Sequence, residues 1–151
     1  MYLHKLIATG LGIGYIGKGA GTVAALATCI VWYYALVGSN FPLLAPCLIT
    51  LLITLQGVRS ADVVEPDWGK DHQRVVIDEI AGMCITLLFI PVTVTHVAVG
   101  LVLFRFFDIV KPLYIRRLEA WPGGLGVMAD DVLAGIYANL CLHLLIILKV
   151  F

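Results

Sequence analysis

The sequence predicts an all-α fold: a polytopic helical membrane protein of about five transmembrane helices joined by short polar cytoplasmic loops, in one domain over residues 1–151. Two observations carry that expectation. The first is composition, since 61% of the 151 residues are hydrophobic and 13% charged, against roughly 45–50% and 25% in an ordinary soluble domain. The second is where the charges lie. Apart from Lys5, Lys18 and Lys149 they fall in two clusters, Arg59 to Glu79 and Arg105 to Asp131, leaving residues 19–58, 80–104 and 132–148 free of charge. A spanning helix needs about 20 mostly apolar residues, because its backbone polar groups must be satisfied where there is no water. Ten basic and ten acidic residues sum to zero. No basic excess is left for a nucleic-acid backbone, so no nucleic-acid partner is expected, and no charge excess holds a disordered chain in solution.

The first span is read over residues 20–37, ending in Trp32, Tyr33 and Tyr34, residues that favour a membrane interface. Gly38-Ser39-Asn40-Phe41-Pro42 signals a turn, and residues 43–58 return as the second span, so that Lys18 and Arg59 face one compartment. Residues 59–76, polar and interrupted by Pro66 and Gly69, predict a loop. Asp78 and Glu79 follow at the mouth of the next apolar run. That run reads either as one span or as two short helices, 77–90 and 94–108, of about 21–23 Å at 1.5 Å per residue. Pro91 favours the break, since proline removes a helical donor and biases its predecessor away from α. Two helices put both charge clusters on one face; one span puts them on opposite faces. Arg105, Lys111, Arg116 and Arg117 form the densest cationic segment, which the positive-inside rule assigns to the cytoplasm. Residues 122–126 read as a glycine-rich linker. The last span is expected over residues 132–150, with Asp130 and Asp131 at its start, where a helix dipole favours acidic groups. With the break at Pro91 there are five spans, residues 1–19, 59–79 and 105–131 are cytoplasmic, and the carboxyl terminus is outside.

Several chemistries are disfavoured. Cys29, Cys47, Cys84 and Cys141 sit in apolar runs without CxxC spacing and read as small buried hydrophobes. The histidines His4, His72, His96 and His143 lack metal-ligand spacing, and only His72, beside Asp71, borders the acidic residues. The two serines, Ser39 and Ser60, lie in no nucleophile-elbow context. The first 21 residues, with six glycines and two lysines, do not read as a removable signal.

Three constellations remain. Asp78 with Glu79, Asp108, and Asp130 with Asp131 each stand where a helix meets an apolar run. Ionisable groups at membrane depth are costly and face a cavity or a partner. Five converging carboxylates would repel one another unless a divalent cation neutralised them, and hard oxygen ligands suit magnesium. The bland alternative is that acidic pairs cap helix amino termini. The second constellation is basic. Arg105, Asp108 and Lys111 are spaced i, i+3, i+6, so Arg105 and Asp108 share a face and an Asp108–Lys111 pair is expected to continue it. Cations beside metal-holding carboxylates suit a phosphate, with Lys18 a further candidate; Arg116 and Arg117 read as interfacial anchors. The third is the glycine-rich stretch from Gly10 to Thr22, a weak phosphate-loop signal that lacks the GxxxxGK[ST] pattern.

Taken together, Gly21-Thr22, the DE-xx-G element from Asp78 to Gly82, the FRxxDxxKP element from Phe104 to Pro112, and the GGxGxMxDDxxAG element from Gly123 to Gly135 resemble the phosphatidylglycerophosphatase A family over nearly the whole chain. Ala20 stands where that family often carries proline. The resemblance implies a magnesium-dependent, multi-pass phosphatase of the bacterial inner membrane. It would act at the cytoplasmic face on the lipid substrate phosphatidylglycerol phosphate, releasing phosphatidylglycerol and inorganic phosphate. It favours five spans, because the motifs could hardly form one site from two faces. Asp78, Glu79, Asp108 and Asp131 are then the expected catalytic residues, and these with Asp130 the metal ligands. Arg105 and Lys111 are expected to hold phosphate oxygens, with Lys18 and Thr22 as lesser contacts. The alternatives are another lipid-phosphate hydrolase, or a small cation transporter using the same carboxylates. A transporter predicts acidic groups near span centres, whereas these sit at span ends.

Overall fold

A computed structural model describes residues 1–40 and 43–151. Phe41 and Pro42, part of the expected turn, lie outside the described residues. The described chain is helical without strands: α1 (Tyr2–Ala8), α2 (Ala20–Leu36), α3 (Leu44–Trp68), α4 (Ile77–Leu87), α5 (Val94–Val110), α6 (Ile115–Leu118) and α7 (Gly123–Ile147), with a short 3-10 turn at Ile13–Ile16. α3 and α7 are each long and apolar enough to cross a bilayer, and α2 is a shorter apolar helix. Leu48, Leu51, Leu52 and Leu55 on α3 and Leu140, Leu144 and Ile147 on α7 are exposed, an outer surface suited to hydrocarbon rather than water. The chain is a membrane protein.

The break expected at Pro91 is present. α4 ends at Leu87, residues 88–93 are non-helical, and Thr93 caps α5 by accepting a hydrogen bond from the His96 amide at 3.1 Å. The two helices form a hairpin. Gly82 of α4 packs on Phe104, and Leu87 packs on Gly100 of α5, so the first turn of α4 lies beside the last turn of α5. α7 runs parallel to α4: Gly82 meets Asp131 and Gly135, while Asn139 donates to the carbonyls of Ile85, Thr86 and Leu88 at 2.8–3.2 Å. α2 is also parallel to α4, with Gly21 against Glu79 and Trp32 level with Leu87. α3 runs the other way, setting Gly57 on Met128 and Asp62 on Gly124. The amino ends of α2, α4 and α7 and the carboxyl ends of α3 and α5 therefore gather at one end of the bundle, which carries nearly all the charge.

Two expected boundaries are corrected. The loop read over residues 59–76 is helical as far as Trp68, including Pro66. Ser60, Ala61 and Val64 are buried against α1 and α7, and that packing outweighs the polar composition. The linker read over residues 122–126 is the first turn of α7, which begins at Gly123. The glycines there permit close approach, since a Cβ on Gly124 would overlap the Val58 carbonyl oxygen. In consequence Asp130 and Asp131 lie inside α7 rather than at its start, so they do not cap it. The amino-terminal segment also contains α1, which was not expected. It is tied down by the Val76 amide donating to the Ala8 carbonyl (2.8 Å), by a Lys5–Asp67 ion pair (2.7 Å), and by His4 bonded to the buried Ser60 (3.1 Å).

Candidate active site

The charged end of the bundle brings three acidic segments together. The Val76–Ala8 hydrogen bond fixes where α4 begins, and its first turn carries Asp78 and Glu79. Asp131 arrives from the second half-dozen residues of α7. Its position depends on the α4–α7 crossing, where a Cβ on Gly82 would stand 2.7 Å from the Asp131 carbonyl oxygen and one on Gly135 would stand 3.1 Å from the Gly82 Cα. Carboxylate oxygens of Asp78, Glu79 and Asp131 lie within 4.8 Å of one another. Asp78 and Asp131 are buried, at 7% and 3% exposure, and Glu79 is half-buried. Gly21 makes room for this group, because a Cβ there would overlap the Glu79 carboxylate.

Asp108, in the last turn of α5, lies against Asp131 and forms an ion pair with Arg105 one turn before it. Lys111 does not pair with Asp108 as its spacing suggested. The helix ends at Val110, and Lys111 takes a left-handed backbone conformation (φ +51°) ahead of Pro112. Its ammonium group is thereby turned toward α7, where it donates to Asp130 at 2.6 Å and also pairs with Glu119. Burial works against the charged amine, but the hydrogen bonds and charges of Asp130 and Glu119 outweigh it and hold Lys111 above the usual lysine range.

Asp78, Glu79, Asp108, Asp130, Asp131, Arg105 and Lys111 thus share one region. Lys18 and Thr22 flank Gly21 at the start of α2, both exposed, and among the described residues neither makes a side-chain hydrogen bond or ion pair. His72 turns to the Trp68 ring, 5.9 Å between centroids, and its Nδ1 accepts from the Arg74 amide. Two participants were not anticipated from the sequence. Glu119, the second partner of Lys111, lies eight residues beyond it, past a non-helical turn that helical spacing does not reach across. Asp71 sits in the α3–α4 connection close enough to Asp78 and Asp130 to repel both, in a left-handed conformation (φ +52°) with no motif to mark it.

The donor set fits a hard divalent cation. Three carboxylates meet at ligand spacing, and Asp78 Oδ1, Glu79 Oε2 and Asp130 Oδ1 are buried without a hydrogen-bond partner among the described residues. Buried carboxylate oxygens without donors are costly unless a cation serves them. Arg105 Nε is likewise buried and without an acceptor.

Residues 6–146 match the family model of Phosphatidylglycerophosphatase A. Two curated relatives are named phosphatidylglycerophosphatase A. The Haemophilus influenzae protein is 39% identical, covering 88% of this chain and 82% of its own length. The Escherichia coli protein is 36% identical, covering 87% and 76%. A Bacteroides thetaiotaomicron relative, 42% identical over 91% of this chain and 89% of its own, is provisionally named a phosphatidylinositol-3-phosphatase. No solved structure gives a significant match. The family match over nearly the whole chain, together with a carboxylate cluster of the kind its motifs led one to expect, means that this chain belongs to the phosphatidylglycerophosphatase A family and is a phosphatase.

Proposed function

We propose that residues 1–151 act as one integral-membrane domain that hydrolyses phosphatidylglycerol phosphate to phosphatidylglycerol and inorganic phosphate. The reaction is magnesium-dependent and takes place at the cytoplasmic face of the bacterial inner membrane. The observation that supports this most directly is the meeting of Asp78, Glu79 and Asp131 within 4.8 Å, beside Arg105, at the charged end of the helices. A five-span arrangement of α2, α3, α4, α5 and α7 is part of the proposal. It accounts for the acidic motifs sharing one end, and the positive-inside rule places that end in the cytoplasm. α4 and α5 are short for a bilayer, which would draw their charged ends slightly below the interface, to the depth of a lipid phosphate.

A phosphomonoester carries up to about two negative charges. In this reading Asp78, Glu79 and Asp131 hold magnesium, with Asp108 and Asp130 adjoining. The bound ion would offset phosphate charge and polarise the bond that breaks. Arg105 donates from its free Nε to a phosphate oxygen while its other side stays on Asp108, and Lys111 presents a second cation. Lys18 and Thr22, exposed at the start of α2, add outer contacts. Water forms the new bond to phosphorus as the bond to the head-group oxygen breaks. Asp108, outside the group of three, accepts the proton that water loses and passes it to solvent, and the departing oxygen takes a proton from solvent water to become the product hydroxyl.

A second reading keeps this chemistry and changes the head group, because the Bacteroides relative carries an inositol-lipid name. One experiment separates them. The purified protein is assayed in detergent for phosphate release from phosphatidylglycerol phosphate and from phosphatidylinositol 3-phosphate, with magnesium and with EDTA, beside Asp131→Asn. Release from the glycerol lipid alone, needing both metal and Asp131, is expected. Release from the inositol lipid alone would transfer the assignment to that substrate, and metal-independent release would overturn the mechanism.

A further inference from the structure

A long apolar groove of about 610 Å³ runs between α2 and α3 with α4 as its floor. Ala24, Ala27 and Ala35 form the α2 wall, Ile49 and Ile53 the α3 wall, and Ile80 part of the floor. From Ala24 to Leu36 it extends twelve helical residues, about 18 Å. Half of a bilayer's hydrocarbon core, one leaflet, is about 15 Å deep. The groove begins beside the acidic cluster: Ala24 is one helical turn from Gly21, which abuts Glu79, and Ile80 directly follows Glu79. Its one hydroxyl, that of Thr28, is already spent on the Ala24 carbonyl at 2.8 Å, and most of the remaining lining is aliphatic. The rim residues Leu11, Val31 and Ile49 are exposed, which leaves the groove open sideways, where hydrocarbon would enter.

We propose that this groove holds one acyl chain of the lipid substrate while its phosphate lies at the carboxylate cluster, and that Trp32 sets how long a chain fits. The inference rests on the lipid-phosphatase reading above. Trp32 is 8% exposed and lines both this groove and a second cavity of about 410 Å³ beyond it, bounded by Leu36, Leu88 and Pro91. Leu36 and Pro46 line both as well, so the indole is the largest side chain in the partition between the two cavities, and small residues along α2 keep the channel open before it.

The test compares kcat/KM for dioctanoyl, dipalmitoyl and diarachidoyl forms of one lipid phosphate in detergent micelles, for wild type, Ala27→Trp and Trp32→Ala. Filling the groove with Ala27→Trp should lower the long-chain to short-chain ratio at least about tenfold, since two methylenes' worth of burial already amounts to that. Trp32→Ala joins the two cavities and should shift preference toward chains longer than palmitoyl. An activity-free readout accompanies it. With Trp68 and Trp121 replaced by Phe, Trp32 emission should be quenched by chain-brominated phosphatidyl lipid added to detergent-solubilised protein, and Ala27→Trp should abolish binding of that lipid measured by native mass spectrometry. Active wild type with an unchanged chain-length ratio in both variants would overturn the groove while leaving the phosphatase reading intact. No phosphate release from either lipid, but quenching and loss of lipid on Ala27→Trp, would do the reverse. Absence of quenching would overturn the groove whatever the activity.

Discussion

Replacing Asp131 with asparagine should make the metal-free protein more stable and the enzyme inactive. Three carboxylates within 4.8 Å of one another form three repelling pairs, and Asp131 belongs to two of them. Two unit charges at that distance repel by about 3.5 kcal/mol at an effective dielectric of about 20. The net gain on removing one charge falls well below two such terms, because side chains rearrange and water enters. We expect about 1–2 kcal/mol, in the range seen when buried charges are replaced by neutral groups. For a chain of this size that is roughly 2–4 °C per kcal/mol in Tm. Magnesium should reverse the order, since a ligand at a hundred times its Kd stabilises by about 2.7 kcal/mol and the substituted site binds it poorly. The assay is thermal unfolding in detergent, in EDTA and in excess magnesium, with phosphate release measured in parallel. The asparagine protein should melt above wild type in EDTA, below it in magnesium, and lose at least about a hundredfold in kcat. A variant that melts below wild type in EDTA, or gains as much as wild type from magnesium, would refute the cation-holding cluster.

Lys111→Met strands Asp130, whose side chain is 7% exposed, together with Glu119, and should cost about 3 kcal/mol by thermal unfolding, with Lys111→Arg recovering most of it. Because the folded lysine titrates above its unfolded value, the pair's contribution is complete below the ordinary lysine range and is lost only as pH rises through the folded value. The methionine penalty should accordingly be flat from about pH 7 to about pH 9. Gly21→Ala drives a methyl group into the Glu79 carboxylate, and kcat should fall about a hundredfold with normal membrane insertion. Asn139→Leu removes the donor shared by three carbonyls at the end of α4 and should lower stability by about 1–3 kcal/mol, with phosphate release per folded molecule retained.

Gaps between charges are a direct record of where a chain can meet hydrocarbon, which is why α2 was placed within one residue at each end and the interruption at Pro91 was legible. Composition misleads where polar or flexible residues are held helical by neighbours. Ser60 and Val64 continue α3 because α1 and α7 cover them, and Gly123–Gly124 open α7 because α3 lies close enough to exclude a side chain. Neither partner is visible from local spacing. The acidic residues stood out because each breaks an apolar run, whereas Asp71 and Glu119 lie in already charged segments. The Asp108–Lys111 spacing assumed a helix that continues, and a left-handed residue before proline sent Lys111 elsewhere.

The contact of Gly82 with Gly135 has a kinetic side. Where two helices touch backbone to backbone, neither can slide or tilt without overlap, and the hydroxyl of Thr86, bonded to the Gly82 carbonyl at 2.9 Å, sits at the same crossing. Asp78 and Glu79 on one helix and Asp131 on the other ride on that joint, so their separation is set by backbone contact rather than by side chains that can swing. Traffic through the site must then be carried by parts free of the joint: the α3–α4 connection with Asp71, and the turn after α5 with Lys111 and Glu119. Release of product phosphate would be paced by those two segments, and substitutions in them should alter turnover while leaving the α4–α7 crossing in place.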